Sequence, residues 1–132
     1  MKFRFATVAV AIGATLAGSV ILAAPAQAAT KTCQVDQWRY DICFDGANDA
    51  FYVSDMYADG HRAVVEWIAM DGSGRKGECH DSNGAHNGWT VCDYDFREGT
   101  NKYVIFQGMT RNGANGKSAY FSWMYTGYIT PR

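Results

Sequence analysis

Three histidines, His61, His80 and His86, fall within a span of 26 residues, and His80 stands between Cys79 and Asp81. Imidazole, thiolate and carboxylate in one stretch are the raw material of a metal or acid–base site. Zinc requires three or four converging ligands, however, and a disulfide at Cys79 would remove one of them. Histidines set among Ser, Asn and Gly read more simply as solvated loop residues. Asp93, Asp95 and Glu98 form an acidic group. Two residues apart on a strand, Asp93 and Asp95 would share a face, an arrangement open to the paired carboxylates of a glycosidase. So short a chain offers little depth for a cleft, and Arg62, Arg97, Lys102 and Arg111 could neutralise these acids. A charged strand edge that resists aggregation is the simpler reading. Asp71, Ser73 and Glu78 lie around a Gly-rich turn without the alternating acidic spacing of a calcium loop. No G-x-S-x-G or P-loop pattern occurs, and Ser54, Ser73, Ser82, Ser118 and Ser122 lack the context of a nucleophile. The expectation is no catalytic set, no metal and no cofactor, with a binding role ahead of an enzymatic one.

The segment from Cys33 to Cys43 carries a different chemistry. It holds Trp38, Arg39 and Tyr40, the residue types that dominate interface hot spots. A disulfide across it would pre-order the loop and lower the entropy lost on binding. These three residues are the candidate binding site. Alternation along a strand would instead turn Trp38 and Tyr40 inward and leave Arg39 as a surface charge.

The elements that must position such residues belong to an exported chain. Lys2 and Arg4 precede an apolar run from Phe5 to Ala24, and Ala26-Gln27-Ala28 has the small-x-small pattern read by signal peptidase. Residues 1–28 are therefore expected to be a cleavable secretory signal peptide, with 29–132 as a single domain. Its 104 residues would carry 10 basic and 13 acidic side chains, a net charge of −3. That balance argues against nucleic acid, whose phosphates need clustered Lys and Arg. No second apolar run of spanning length follows, so no membrane association is expected after cleavage. A domain this size buries about 65% of its unfolded surface. It gains from staples, and Cys33, Cys43, Cys79 and Cys92 read as two disulfides. Of the three possible pairings, Cys33–Cys43 and Cys79–Cys92 each close a plausible hairpin or loop.

Short runs rich in β-branched and aromatic residues alternate with Gly/Asn/Asp clusters, and no segment sustains a helical period. This rhythm predicts an all-β fold, a small antiparallel β-sandwich of about seven strands with two disulfides. The expected strands span 33–44, 50–58, 61–70, 76–81, 88–96, 101–110 and 118–129. Asp59-Gly60 reads as a two-residue type I′ turn. It would set Tyr52 opposite Trp67 and make Tyr52, Met56, Ala63, Val65 and Trp67 the core face. The last strand is aromatic on both faces, with Phe121, Trp123 and Tyr125 on one and Tyr120, Met124 and Tyr128 on the other. Residues 29–132 hold 17 aromatics, more than a core of this size readily hides.

Trp38-Arg39-Tyr40 between two cysteines resembles the inhibitory triplet of the tendamistat-type α-amylase inhibitors. That likeness implies a two-disulfide β-sandwich whose triplet enters an enzyme's active-site cleft. The loop here is shorter, and Cys79 and Cys92 lie closer together than that family's second pair. The run Ser54–Trp67, the Cys79–Cys92 hairpin and the Asp95–Gly99 turn resemble a group of small secreted actinobacterial two-disulfide β-sandwich proteins without an assigned activity. That second resemblance implies export and fold, and no mechanism.

The leading expectation is a secreted, extracellular binding module, monomeric, whose partner is an extracellular protein such as an amylase or protease that it inhibits. A polysaccharide ligand held by exposed aromatics is the alternative. A small hydrolase using His80, Asp93 or Asp95, and a surface or structural protein, follow in that order.

Overall fold

The structure is a computed structural model that describes residues 31–36 and 38–132. The expected signal peptide lies outside those residues. The described residues are all-β and form nine strands in two antiparallel sheets with no helix. They are β1 (Lys31–Asp36), β2 (Tyr40–Asp45), β3 (Ala50–Asp55), β4 (Arg62–Met70), β5 (Lys76–His80), β6 (Thr90–Asp93), β7 (Tyr103–Arg111), β8 (Ser118–Ala119) and β9 (Tyr125–Tyr128). The first sheet runs β1-β2-β3-β6; the second runs β5-β4-β7-β8, with β9 also paired to β7.

Nine strands replace the expected seven because two long segments break. Residues 33–44 fold back at Trp38 and Arg39, placing Cys33 opposite Cys43. The segment 118–129 leaves the sheet over residues 120–124, between β8 and β9. The structure joins Cys33 to Cys43 and Cys79 to Cys92, the pairs that spacing had favoured. The first bridge spans adjacent strands, with Cα atoms 4.0 Å apart. The second ties β5 to β6, each at the edge of its own sheet, and so staples one layer to the other.

The Asp59-Gly60 hairpin does not form. β3 and β4 lie in different sheets, and residues 56–61 cross from one layer to the other. Gly60 takes the positive φ expected of it, 81°. The chain nonetheless leaves the first sheet at Asp55, whose N–H donates to the Asp81 carboxylate at 2.6 Å. Each strand's inward face is therefore set by its own sheet. On β4, Ala63, Val65 and Trp67 face the core as expected. On β3 the faces are reversed: Phe51 and Val53 are buried, whereas Tyr52 is half-buried and packs outward against Trp89.

Rings fill the space between the layers. Phe51 lies 4.9 Å from Phe44 and 5.3 Å from Phe106, and Trp67 meets Phe96 edge-on at 5.0 Å, all between ring centres. Each fully buried side chain of this kind contributes about 1.5–3 kcal/mol of transfer free energy, and tilted or edge-on contacts add to it.

Candidate functional site

The β1–β2 turn projects from one end of the sandwich. Trp38 at its tip is 78% exposed, whereas Tyr40, two residues on, is 1% exposed and belongs to the core. Tyr40 is therefore an anchor and presents no contact surface, which corrects one third of the candidate triplet. The cause is the start of β2: Tyr40 is its first inward position, followed by Ile42 and Phe44. Its hydroxyl donates to the Tyr120 carbonyl at 2.6 Å.

Arg39 joins three chain segments. Its guanidinium carbon lies 3.2 Å from the Tyr120 ring centre and 5.6 Å from that of Tyr57. Nη1 stands 3.7 Å from Asp59 Oδ2. The Arg39 carbonyl accepts from Met56 N–H at 2.9 Å, so the crossover carrying Tyr57 is hydrogen-bonded to the turn. Cation–ring contacts of this kind are worth about 0.5–2 kcal/mol, more as water is excluded. A guanidinium is planar and stacks on ring faces, which a lysine ammonium cannot do.

Tyr120 opens the stretch that leaves the sheet, and it has a positive φ of 53°. Ser122 clips this stretch to β7. Its N–H donates to the Gly108 carbonyl at 2.9 Å, and its Oγ accepts from the Gly108 N–H at 2.9 Å. Gln107 Nε2 donates to the Ser122 carbonyl at 2.6 Å. Because the backbone is pinned at Ser122, Phe121 and Trp123 splay into solvent, Trp123 at 85% exposure. One end of the molecule thus gathers Trp38, Arg39, Tyr57 and Tyr120, with Phe121 running on from Tyr120. Sequence reading singled out Trp38 and Arg39 but missed Tyr57 and placed Tyr120 on a regular strand. The signal for Tyr120 was an aromatic run too dense for one strand to bury.

The other candidates separate. His61 Nδ1 lies 3.2 Å from Asp59 Oδ1, His80 Nε2 lies 2.7 Å from Glu78 Oε2, and His86 N–H donates to the Asp55 carbonyl at 2.9 Å. Asp93 and Asp95 are exposed. Asp71 is buried and spends its carboxylate on Ser73 and on the Arg97 N–H at 2.8 Å. Burial pushes its pKa up, but these donors outweigh burial and hold it at about 2. Glu78 is likewise held at about 2, chiefly by Arg111 Nη1 at 2.8 Å. Among the described residues no group of three or more His, Cys, Asp or Glu side chains is arranged to hold a metal ion.

One titratable cluster stands apart from these. Asp55 and Asp81, both buried, line a cleft of about 450 Å³ with His61 and Arg62. Burial raises the Asp55 pKa, and the nearby Asp59 and Asp81 charges add to the rise. Asp81 is committed to structure: it accepts from Asp55 N–H and from the Thr90 hydroxyl at 2.7 Å.

No family model, no curated protein and no solved structure matches the chain. Two disulfides point to an oxidising environment such as the cell exterior. Among the described residues, no helix is long and apolar enough to cross a membrane.

Proposed function

We propose that this is a secreted binding module whose contact surface is the cluster around Arg39, and that its partner is an extracellular protein. The observation that carries this reading is the Arg39 guanidinium between the Tyr120 and Tyr57 rings, beside a Trp38 left 78% exposed. Trp, Tyr and Arg side chains concentrate binding energy because they bury large area with few rotatable bonds and retain polar tips. Ordering them normally costs about 0.5–1.5 kcal/mol per side chain. Here much of that cost is met within the free protein, by the Cys33–Cys43 bridge, the Tyr40 anchor and the stacked guanidinium.

An exposed aromatic beside a disulfide-closed hairpin suits insertion into a cleft, and a secreted amylase or protease is the first partner to test. The experiment is inhibition and direct binding by the oxidised protein across a panel of such enzymes. Stoichiometric inhibition of one of them, weakened at least tenfold by Trp38→Ala or Arg39→Ala, supports the reading. Neither binding nor inhibition across the panel would overturn the hydrolase partner. Binding insensitive to both substitutions would overturn the site.

A further inference from the structure

The outer face of the second sheet carries a groove that the Arg39 cluster does not use. β4 lies between β5 and β7, so its peptide groups are already engaged on both sides. A peptide cannot bind here by adding a strand, because that mode needs a free sheet edge. Recognition must come from side chains. Those of Ile68 and Ile105, cross-strand partners, form an apolar strip, with Met124 above it. Ile68 is 50% exposed. Glu66, Glu78 and Gln107 stand in the adjacent row, and the groove encloses about 490 Å³.

The carboxylates are fixed. Arg111 Nη2 donates to Glu66 Oε1 at 2.9 Å, and Nη1 donates to Glu78 Oε2 at 2.8 Å. A buried guanidinium thus holds both acids in place and offsets one of their two charges, with His80 Nε2 also 2.7 Å from Glu78 Oε2, while each carboxylate keeps acceptor capacity for further donors. An apolar strip beside fixed acceptors matches a pyranose, whose ring face presents C–H groups and whose rim presents hydroxyl donors. Two carboxylates on the wall oppose an anionic ligand, and Lys76 at the groove opposes a cationic one.

We infer that the Ile68–Ile105 groove, walled by Glu66, Glu78 and Gln107, binds a neutral pyranose oligosaccharide. This groove shares no side chain with the Arg39 cluster, although Gln107 also holds the 120–124 stretch through the Ser122 carbonyl. The test is amide chemical-shift mapping of the oxidised protein with maltohexaose, cellohexaose, xylohexaose and chitohexaose, and with an oligogalacturonate as the anionic comparison. One neutral oligosaccharide should shift Ile68, Ile105 and Gln107 saturably. Ile68→Asp should weaken it about tenfold, the cost of losing one buried apolar side chain from the interface. Ile68→Thr, a residue that strands accept, should weaken it less, and Trp38→Ala should leave it unchanged. No saturable shift at the groove with any neutral probe, tightest binding of the oligogalacturonate, or affinity unaffected by both Ile68 variants would each overturn the inference. Shifts confined to Trp38, Tyr57 and Tyr120 would also overturn it and move the ligand to the other site.

Discussion

The Arg39 guanidinium stacks 3.2 Å from the centre of the Tyr120 ring, and the neighbouring Tyr40 hydroxyl holds the Tyr120 carbonyl at 2.6 Å. Two residues 81 apart in sequence are thereby fixed as one surface. Tyr120→Ala should release the guanidinium without disturbing the core, because Tyr120 is exposed. We expect stability to fall by about 0.5–1 kcal/mol and partner affinity to fall at least as much as in Arg39→Ala. Urea denaturation and titration with the cognate partner measure the two effects separately.

Gly108 is the hinge between core and surface. A Cβ there would lie 2.5 Å from Ile42 Cδ1 and 2.7 Å from Tyr40 Cε2, and Ser122 bonds both the N–H and the carbonyl of this residue. Gly108→Ala should cost about 1–3 kcal/mol by overpacking. The variant should also loosen residues 120–124, seen as faster amide exchange at Ser122. Wild-type exchange there would refute the proposed clip.

The two disulfides should differ in what their loss exposes. Cys79–Cys92 links the edges of separate sheets across 13 residues, so the chain-entropy view assigns it about 3 kcal/mol. Replacing both cysteines by serine should lower Tm by roughly 10–20 °C. Cys33–Cys43 lies within one hairpin, and its loss should act more strongly on binding through the Trp38 turn than on Tm. Calorimetry beside a binding titration on each double variant separates the two.

Acid should destabilise the fold through Asp71 and Glu78. Both have pKa values held at about 2, below their ordinary 3.8 and 4.5. The unfolded chain takes up protons first, so their stabilisation is complete above those ordinary values and lost as pH falls toward 2. Asp49 and Asp55 act with the opposite sign, since burial raises their pKa values. Their contribution is largest below 3.8 and is lost as pH rises through the folded values. Asp71→Asn should flatten the acid limb of a plot of urea midpoint against pH between 2 and 5. An unchanged limb would show that Asp71 does not carry it.

Much of the architecture was legible in the chain because it rests on local chemistry. Alternating β-branched and aromatic runs between Gly/Asn/Asp clusters specified strands, and an even cysteine count with suitable spacing specified two bridges. The inward face of β4 followed from simple alternation of Ala63, Val65 and Trp67. Trp38 and Arg39 were visible as candidates because their residue types are unusual between two cysteines.

Tertiary structure decided what depends on which sheet a strand joins. Asp59-Gly60 has the composition of a hairpin turn, yet the chain crosses layers there, since Asp81 caps the end of β3 from 26 residues away. That crossing reversed Tyr52 and Phe51, because a period of two carries no information about which side is inside. Only packing made Tyr40 a core anchor and Trp38 a surface residue, and only packing brought Tyr57 and Tyr120 onto Arg39. Long-range contacts of that kind leave no local periodicity in the chain. Residue type nominated Trp38 and Arg39, and the stacking of two sheets brought Tyr57 and Tyr120 to them.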